Sequence, residues 1–233
     1  MSLTVLTWIW GDKYGPEYVA RLRDGVRRWL RQPHDFVCVV DGMAMAEAIT
    51  TAGARDFRAL LNPCPGLRDR GCFCRLRTFD PAWQRKAEFG DHILSLDLDA
   101  VVVGPLDPLI DRHLLDPLTI LQGVNAANPC PYNGSMSLLR AGTHPEVWSD
   151  FSLGTAAHIP HYEFPDDQGW IHYKVPDAEG FGPGTGVYAF QKPGWPGGEA
   201  LPAGARVVFF PGRKDPAQYG HLRWVRSNWR VAA

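Results

Sequence analysis

Short apolar runs alternate with amphipathic stretches along the first half of this chain of 233 residues. Residues 3–10, 36–41 and 57–61 are rich in β-branched and aromatic side chains, a composition that predicts buried strands. Apolar residues recur at helical spacing from residue 16 to residue 31, and the proline at residue 16 suits the first turn of a helix. Residues 42–53 are rich in alanine and predict a second helix. This alternation predicts an α/β fold, with a mostly parallel sheet flanked by helices.

The pattern becomes richer in strands beyond residue 90. Strands are predicted at residues 93–96, 118–122, 132–140 and 207–210. Short helices are predicted at residues 72–80, 106–113, 145–151 and 166–172. We therefore expect added antiparallel strands in the second half of a single domain. Residues 175–202 are dense in glycine and proline and lack periodicity, which predicts a long loop of the kind that often forms a lid.

Composition limits the classes of function. The 24 basic and 25 acidic residues leave a net charge of −1, so the protein has no overall attraction to nucleic acid or anionic membranes. The five cysteines are odd in number and contain no Cys-x-x-Cys pair, which favours free thiols in a reducing compartment, and we expect a cytoplasmic protein. We expect no signal peptide, because the amino terminus lacks a charged segment followed by an apolar core. We expect no transmembrane segment, because no apolar run approaches about 18 residues.

The most informative polar residues are Asp97 and Asp99, which follow the apolar run at 93–96 and precede three valines. Side chains two positions apart on a strand point the same way, and two carboxylates so placed repel each other unless a cation lies between them. Oxygen ligands suit Mg²⁺ or Mn²⁺, and open α/β sheets bind ligands at the carboxyl ends of their strands. The pair predicts a metal site for a phosphate-bearing ligand, although a surface turn with two solvated aspartates would give the same short motif.

Five short motifs occur in the order found in a known family: Asp12-x-Tyr14, Arg75-Leu76, Asp97-Leu98-Asp99, Tyr132-Asn133-Gly134-Ser135 and Asp167-Gln168. They resemble those of the GT-A fold glycosyltransferases, nearest to the glycogenin-like family 8 of retaining enzymes. The resemblance implies a single GT-A-like domain, with a nucleotide-binding half at residues 1–110 and a sugar- and acceptor-binding half at 111–233. It also implies transfer of a sugar, with retention, from a nucleotide-diphosphate donor that we expect to be a UDP-sugar.

The resemblance also assigns roles to individual residues. Asp97 and Asp99 would bind Mn²⁺ or Mg²⁺. Where the family has a third metal ligand, a histidine, this chain has Phe209, so His221 is the candidate substitute and Asp215 the alternative. Candidates near the transferred sugar are Asn133, Asp167 and Gln168. Candidates for binding the donor nucleotide are Trp8, Trp10, Tyr14, Asp41, Arg75, Arg77, Asp97 and Lys214.

Ordinary structural roles compete with several of these assignments. Trp10 suits core packing, Asp41 a turn, and Asp167 a helix cap, although Asp166 is the better cap of the two. The acceptor is open: a glycan, a lipid-linked glycan, a protein and a modified nucleic acid all fit. Arginines along the predicted helix at 16–31 and the basic aromatic tail at 212–230 suit either an anionic acceptor or simple solvation and packing.

Three other hypotheses about the function are consistent with part of this pattern. In a haloacid-dehalogenase-like phosphatase, Asp97 would be the nucleophile and Asp99 the acid. A sugar nucleotidyltransferase would share the architecture but should carry a glycine-rich basic loop after the first strand. A non-catalytic sugar-binding relative would have less reason to keep both aspartates.

Overall fold

The computed structural model describes residues 2–67, 70–125, 129–159 and 166–231. The strands are β1 Leu3–Ile9, β2 His34–Val40, β3 Arg58–Leu61, β4 His92–Leu96, β5 Ala100–Val102, β6 Leu118–Gln122, β7 Tyr132–Arg140, β8 Glu179–Phe181, β9 Val187–Ala189 and β10 Val207–Phe209. The α-helices are α1 Pro16–Trp29, α2 Met43–Thr51, α3 Pro81–Lys86, α4 Asp107–Asp111, α5 Glu146–Ser149, α6 Leu153–Ala156, α7 Asp167–Lys174 and α8 Arg223–Asn228. Short 3₁₀ helices lie at Pro65–Leu67, Gly71–Phe79, Pro183–Thr185 and Pro216–Tyr219.

The main sheet has the strand order β3-β2-β1-β4-β7-β6-β8. β1 pairs in parallel with β2 and β4, β2 with β3, and β6 with β8. β7 runs antiparallel to both β4 and β6. A smaller sheet has the order β5-β10-β9. The prediction of a mostly parallel α/β sheet, with antiparallel strands added from the second half, is confirmed.

Both faces of the main sheet are covered, as the side chains of β1 illustrate. Val5 and Ile9 belong to an apolar core that includes the buried face of α1 and the smaller sheet. Leu6 and Trp8 belong to a second core, formed with the 3₁₀ helix Gly71–Phe79 and with α7. A strand that is buried on both faces reads as a continuous apolar run, which is why the sequence located it so clearly.

Two segments differ from the prediction. The helix predicted at residues 72–80 does end before Pro81, as the 3₁₀ helix Gly71–Phe79. Pro81 also begins α3, which was not predicted, because the Asp80 side chain accepts a hydrogen bond from the Ala82 N–H at 2.8 Å and caps the new helix. The prediction of one long loop at residues 175–202 is wrong, since β8 joins the main sheet and β9 the smaller one. Strands of three residues are too short to show a sequence period.

All five cysteines are free thiols, and four of them are buried. In the described parts of the chain, no helix is long and apolar enough to cross a membrane.

Candidate active site

A cavity of about 350 Å³ opens where the parallel strands β1 and β4 end. Its walls come from the loop after β1, the 3₁₀ helix Gly71–Phe79, the turn after β4, the start of β7 and the segment after β10. The lining residues are Trp8, Trp10, Lys13, Tyr14, Cys72, Arg75, Asp97, Leu98, Asp99, Ser135, Pro211 and Gly212. This is the edge at which open α/β sheets bind their ligands.

Asp97 and Asp99 line this cavity from a turn, not from a strand. β4 ends at Leu96, and the Ala100 N–H donates to the Asp97 carbonyl at 3.2 Å before β5 begins. The Asp97 N–H donates to the Ser135 carbonyl at 2.9 Å, which ties the turn to β7. The two carboxylates do share one cavity, but the explanation from strand period was wrong, because the strand stops before the first of them.

Asp99 is buried, with 6% of its surface exposed, and only one of its carboxylate oxygens is paired. Oδ2 accepts a hydrogen bond from the Tyr14 hydroxyl at 3.1 Å. Oδ1 is buried and has no hydrogen-bond partner among the described residues. Burial, together with the nearby Asp97 carboxylate, raises the pKa of Asp99 to about 7. Since a buried carboxylate oxygen without a partner is costly, this atom suits a bound cation.

Arg75 lies between two carboxylates. Its Nε and Nη2 donate to Asp167 Oδ2 at 2.9 and 2.6 Å, and its Nη1 donates to Asp97 Oδ1 and to the Gly134 carbonyl. Burial acts to lower the pKa of Arg75, but Asp167 and Asp97 hold it well above its ordinary value. All three nitrogens of the guanidinium therefore face protein groups, so in this structure Arg75 positions the two acids.

The residues predicted near the transferred sugar surround the start of β7. The Asp166 side chain accepts from the Gly169 N–H at 2.9 Å, which confirms it as the cap of α7 and leaves Asp167 to pair with Arg75. Burial raises the pKa of Asp167 to about 6, against the opposing effect of the guanidinium. Gln168 Oε1 accepts from the Gly134 N–H at 3.1 Å, so both helix residues hold the wall of the cavity.

Asn133 also holds this wall. Its Oδ1 accepts from the Ser135 N–H at 3.0 Å, and its Nδ2 donates to Asn125 Oδ1 at 3.0 Å. Ser135 lines the cavity, whereas Asn133 does not. The side chain of Asn133 therefore shapes the backbone beside the cavity.

The aromatic candidates divide into two roles. The Tyr14 ring packs against Tyr18, with 4.9 Å between centroids, and Lys13 Nζ lies 4.6 Å from its centre. Burial and Asp99 raise the pKa of Tyr14, which keeps its hydroxyl protonated as a donor to that carboxylate. Trp10 is half-buried in the cavity wall and offers the more accessible ring for stacking on a base.

Two donor-binding candidates lie outside the cavity. Asp41 Oδ1 accepts from Asn62 Nδ2 at 3.2 Å in an exposed turn. Arg77 pairs with Asp80 at 3.1 Å and lies over the Trp148 ring, 4.6 Å from its centre. Arg75 and Arg77 leave their 3₁₀ helix in different directions, so only Arg75 reaches the carboxylate pair.

The two carboxyl-terminal candidates also lie elsewhere. Lys214 Nζ donates to the Phe190 carbonyl at 3.2 Å. His221 is exposed, and its Nε2 lies 3.5 Å from Glu199 Oε2. Neither residue lines the cavity, and the described residues group no third histidine, cysteine or acid with the carboxylate pair. The structure therefore does not bring His221 to the position of a third metal ligand.

Sequence reasoning assigned no role to three polar residues of the cavity, Lys13, Cys72 and Ser135. Lys13 is exposed, and no salt bridge to it occurs in the described ranges. Its position beside Tyr14 could have indicated it. Cys72 precedes Arg75 by three residues, and side chains at that spacing share a face of a 3₁₀ helix, so this signal was also present.

Comparisons with known proteins identify the fold. No protein-family model matches the sequence, and no curated protein matches it. Among solved structures, the galactosyltransferase LgtC, in complex with donor and acceptor sugar analogs, is 14% identical with a TM-score of 0.62, over 100% of this chain and 98% of that one. Mouse xyloside xylosyltransferase 1, in its apo form, is 12% identical with a TM-score of 0.59, over 92% of this chain and 99% of that one. The bifunctional glycosyltransferase WbbM is 12% identical with a TM-score of 0.58, over 92% of this chain and 46% of that one. The chain has the GT-A fold that its motifs implied.

Proposed function

We propose that this protein is a metal-dependent glycosyltransferase, which moves a sugar from a nucleotide-diphosphate donor to an acceptor hydroxyl. The observation that supports this most directly is Asp99 Oδ1, a buried carboxylate oxygen without a partner in the described structure, which belongs to a cavity-lining residue close to Asp97. The cavity lies at the ligand-binding edge of a fold shared with three glycosyltransferases. We extend the proposal to a UDP-sugar and to retention on the resemblance to family 8.

The carboxylate pair fits a hard divalent cation. Asp97 and Asp99 offer only oxygen atoms, which suit Mn²⁺ or Mg²⁺. Mg²⁺ is usually held by one or two carboxylates together with substrate phosphates and water, so a third protein ligand is not required. When bound, the cation would offset the negative charge of the departing diphosphate.

The surrounding residues would orient the carboxylates and the donor. Arg75 fixes Asp97 and Asp167 at set positions, and Tyr14 fixes Asp99 through its hydroxyl. The exposed ammonium of Lys13 at the cavity is our candidate for contact with the diphosphate, and the Trp10 ring for contact with the base. Asp167 and Gln168 would hold the sugar-binding wall.

The acceptor and the location remain parts of the proposal. LgtC was solved with donor and acceptor sugar analogs, and we propose a saccharide acceptor here too. The five free cysteines support a reducing compartment such as the cytoplasm. The phosphatase and nucleotidyltransferase alternatives are not favoured, since the structural neighbours are glycosyltransferases.

Thermal unfolding with Mn²⁺ and UDP tests the proposed site. UDP at about 100 times its dissociation constant should stabilise the wild type by about 2.7 kcal/mol, a rise in melting temperature of about 5–10 °C. Asp99→Asn should lose this rise, measured against its own metal-free melting temperature. Asp41→Asn makes the same chemical change outside the cavity and should keep it. A wild type that Mn²⁺ and UDP fail to stabilise, or an Asp99→Asn variant that keeps the full rise, would contradict the proposal.

A further inference from the structure

Arginines line a groove beside the carboxyl-terminal end of α1. Two adjoining cavities of about 450 and 250 Å³ share Pro108 in their walls. Arg28 and Arg31 line the first, and Arg112 and Arg206 line the second. We call the two cavities together the arginine groove. Its four guanidinium groups come from three separate parts of the chain, so the fold itself collects them.

The charge of this groove is not balanced locally. The protein as a whole is nearly neutral, yet no salt bridge to any of the four arginines occurs in the part of the chain that the structure describes. The carboxylate in the groove wall, Asp107, accepts from the backbone N–H groups of Arg31 and Gln32 at 3.1 and 2.9 Å. Asp107 keeps its negative charge in these contacts, but among the described residues it is the one carboxylate lining the two cavities against four guanidinium groups, so their lining is positive overall.

Two of the guanidinium groups are held in place. Arg28 Nη1 donates to the Asn228 carbonyl at 3.0 Å, and Arg206 Nη1 donates to the Pro105 carbonyl at 2.6 Å. A guanidinium carries five N–H donors, so Arg28 and Arg206 each keep N–H groups that could bind a ligand. Burial and the nearby Arg230 lower the pKa of Arg28, and the Asp24 carboxylate only partly offsets them. Like charges brought together at a partly buried position are the arrangement that a bound anion relieves.

The walls also suit a sugar. Trp29 is half-buried in the first cavity, where Pro105 and Pro108 accompany it. Its indole ring offers an apolar surface beside guanidinium forks that match carboxylate and phosphate geometry. The concave shape does not suit a flat membrane surface, and the near-neutral protein lacks the overall charge of a nucleic-acid binder.

We propose that the arginine groove binds an anionic saccharide chain, bearing carboxylate or phosphate groups, as the distal part of the acceptor. The acceptor role rests on the proposed glycosyltransferase function. Tyr18, which packs on Tyr14 at the catalytic cavity, and Trp29 at the groove are separated by about 16 Å along α1. A single sugar cannot span that distance, so the proposed acceptor is an oligosaccharide or polysaccharide.

Titration calorimetry with defined saccharides tests the groove. The probes are oligogalacturonate, which carries carboxylates, and phosphomannan, which carries phosphates, with neutral maltooligosaccharide as the uncharged control. The wild type should bind at least one charged probe and not the neutral one. The double variant Arg31→Gln/Arg112→Gln, which changes two exposed side chains, should weaken this binding by about tenfold or more.

The matched control is Arg27→Gln/Arg85→Gln, which removes the same charge at exposed positions outside the groove and should change affinity less than about twofold. Equal losses in the two double variants, or no binding of either charged probe, would overturn the proposal. Stronger groove-dependent binding of single-stranded poly-dT or of phosphatidylglycerol vesicles would also overturn it.

This outcome is separable from that of the catalytic proposal. Asp99→Asn should lose stabilisation by Mn²⁺ and UDP yet keep saccharide binding, whereas the groove variant should do the reverse. If the wild type is stabilised by Mn²⁺ and UDP but binds neither charged saccharide, only the groove proposal fails.

Discussion

At the scale of single residues, the two acids of the cavity are held in opposite electrostatic settings. Asp97 pairs with Arg75, while Asp99 is buried with an oxygen that has no partner in the described structure. Replacing each with asparagine should therefore have effects of opposite sign on the metal-free protein. Asp97→Asn removes the carboxylate that pairs with the partly buried Arg75 guanidinium and should lower the free energy of unfolding by about 1–3 kcal/mol. Asp99→Asn relieves a buried charge and should raise it by about 1–2 kcal/mol at neutral pH.

Urea unfolding in the presence of a chelator measures both values. Asparagine keeps an oxygen for the Tyr14 hydroxyl, so the second variant loses little hydrogen bonding. If both variants were destabilised to a similar extent, Asp99 Oδ1 would not be a buried oxygen without a partner.

Gly134 shows why a small residue is needed beside the acids. A Cβ atom at this position would lie 2.7 Å from Arg75 Nη2 and 3.2 Å from Asp167 Oδ2. Gly134→Ala should displace the guanidinium, lower the free energy of unfolding by about 1–3 kcal/mol, and weaken stabilisation by Mn²⁺ and UDP. Gly42→Ala, where a Cβ atom meets nothing within 4 Å, is the control and should leave stabilisation by Mn²⁺ and UDP unchanged. Unaltered ligand stabilisation in Gly134→Ala would show that the arginine is not needed at this position.

At the scale of elements, the cap of α7 connects helix stability with the cavity wall. Asp166 caps the helix whose next two residues, Asp167 and Gln168, contact Arg75 and Gly134. Asp166→Ala should cost about 0.5–2 kcal/mol and also weaken ligand stabilisation, because the helix start would fray. Ser152→Ala removes the cap of α6 and should cost a similar amount without the second effect. Equal ligand stabilisation in the two variants would show that α7 does not support the site.

Elements were predictable where burial imposes a pattern. β1 is apolar along its whole length because both of its faces are covered, and α1 shows its buried stripe at helical spacing. β8 and β9 were missed because three residues carry no readable period. The start of α3 was missed because Pro81 both ends and begins helices, and only the capping contact of Asp80 distinguishes the two.

At the scale of the whole molecule, the sequence could predict which strand ends would meet but not which charged side chains would pair. The order of motifs placed Tyr14, Arg75 and Asp97 together, and all three line the cavity. The direction of a side chain after a strand depends on the turn that follows, which is why the reasoning for Asp99 was wrong. The positions of His221 and Lys214 follow from the packing of the last segment, for which the sequence shows no period.

The place of β7 between β4 and β6 has a consequence for how the protein is made. During synthesis on the ribosome, β4 emerges well before β7. One edge of β4 therefore stays unpaired for a time, and an unpaired strand edge can pair with other strands. The carbonyls of Ser135 and Gly134, which accept from the Asp97 N–H and from Arg75 Nη1, arrive only with β7. Nascent chains therefore carry the acidic turn before its opposite wall exists, and the cavity is complete only after the later strands have docked.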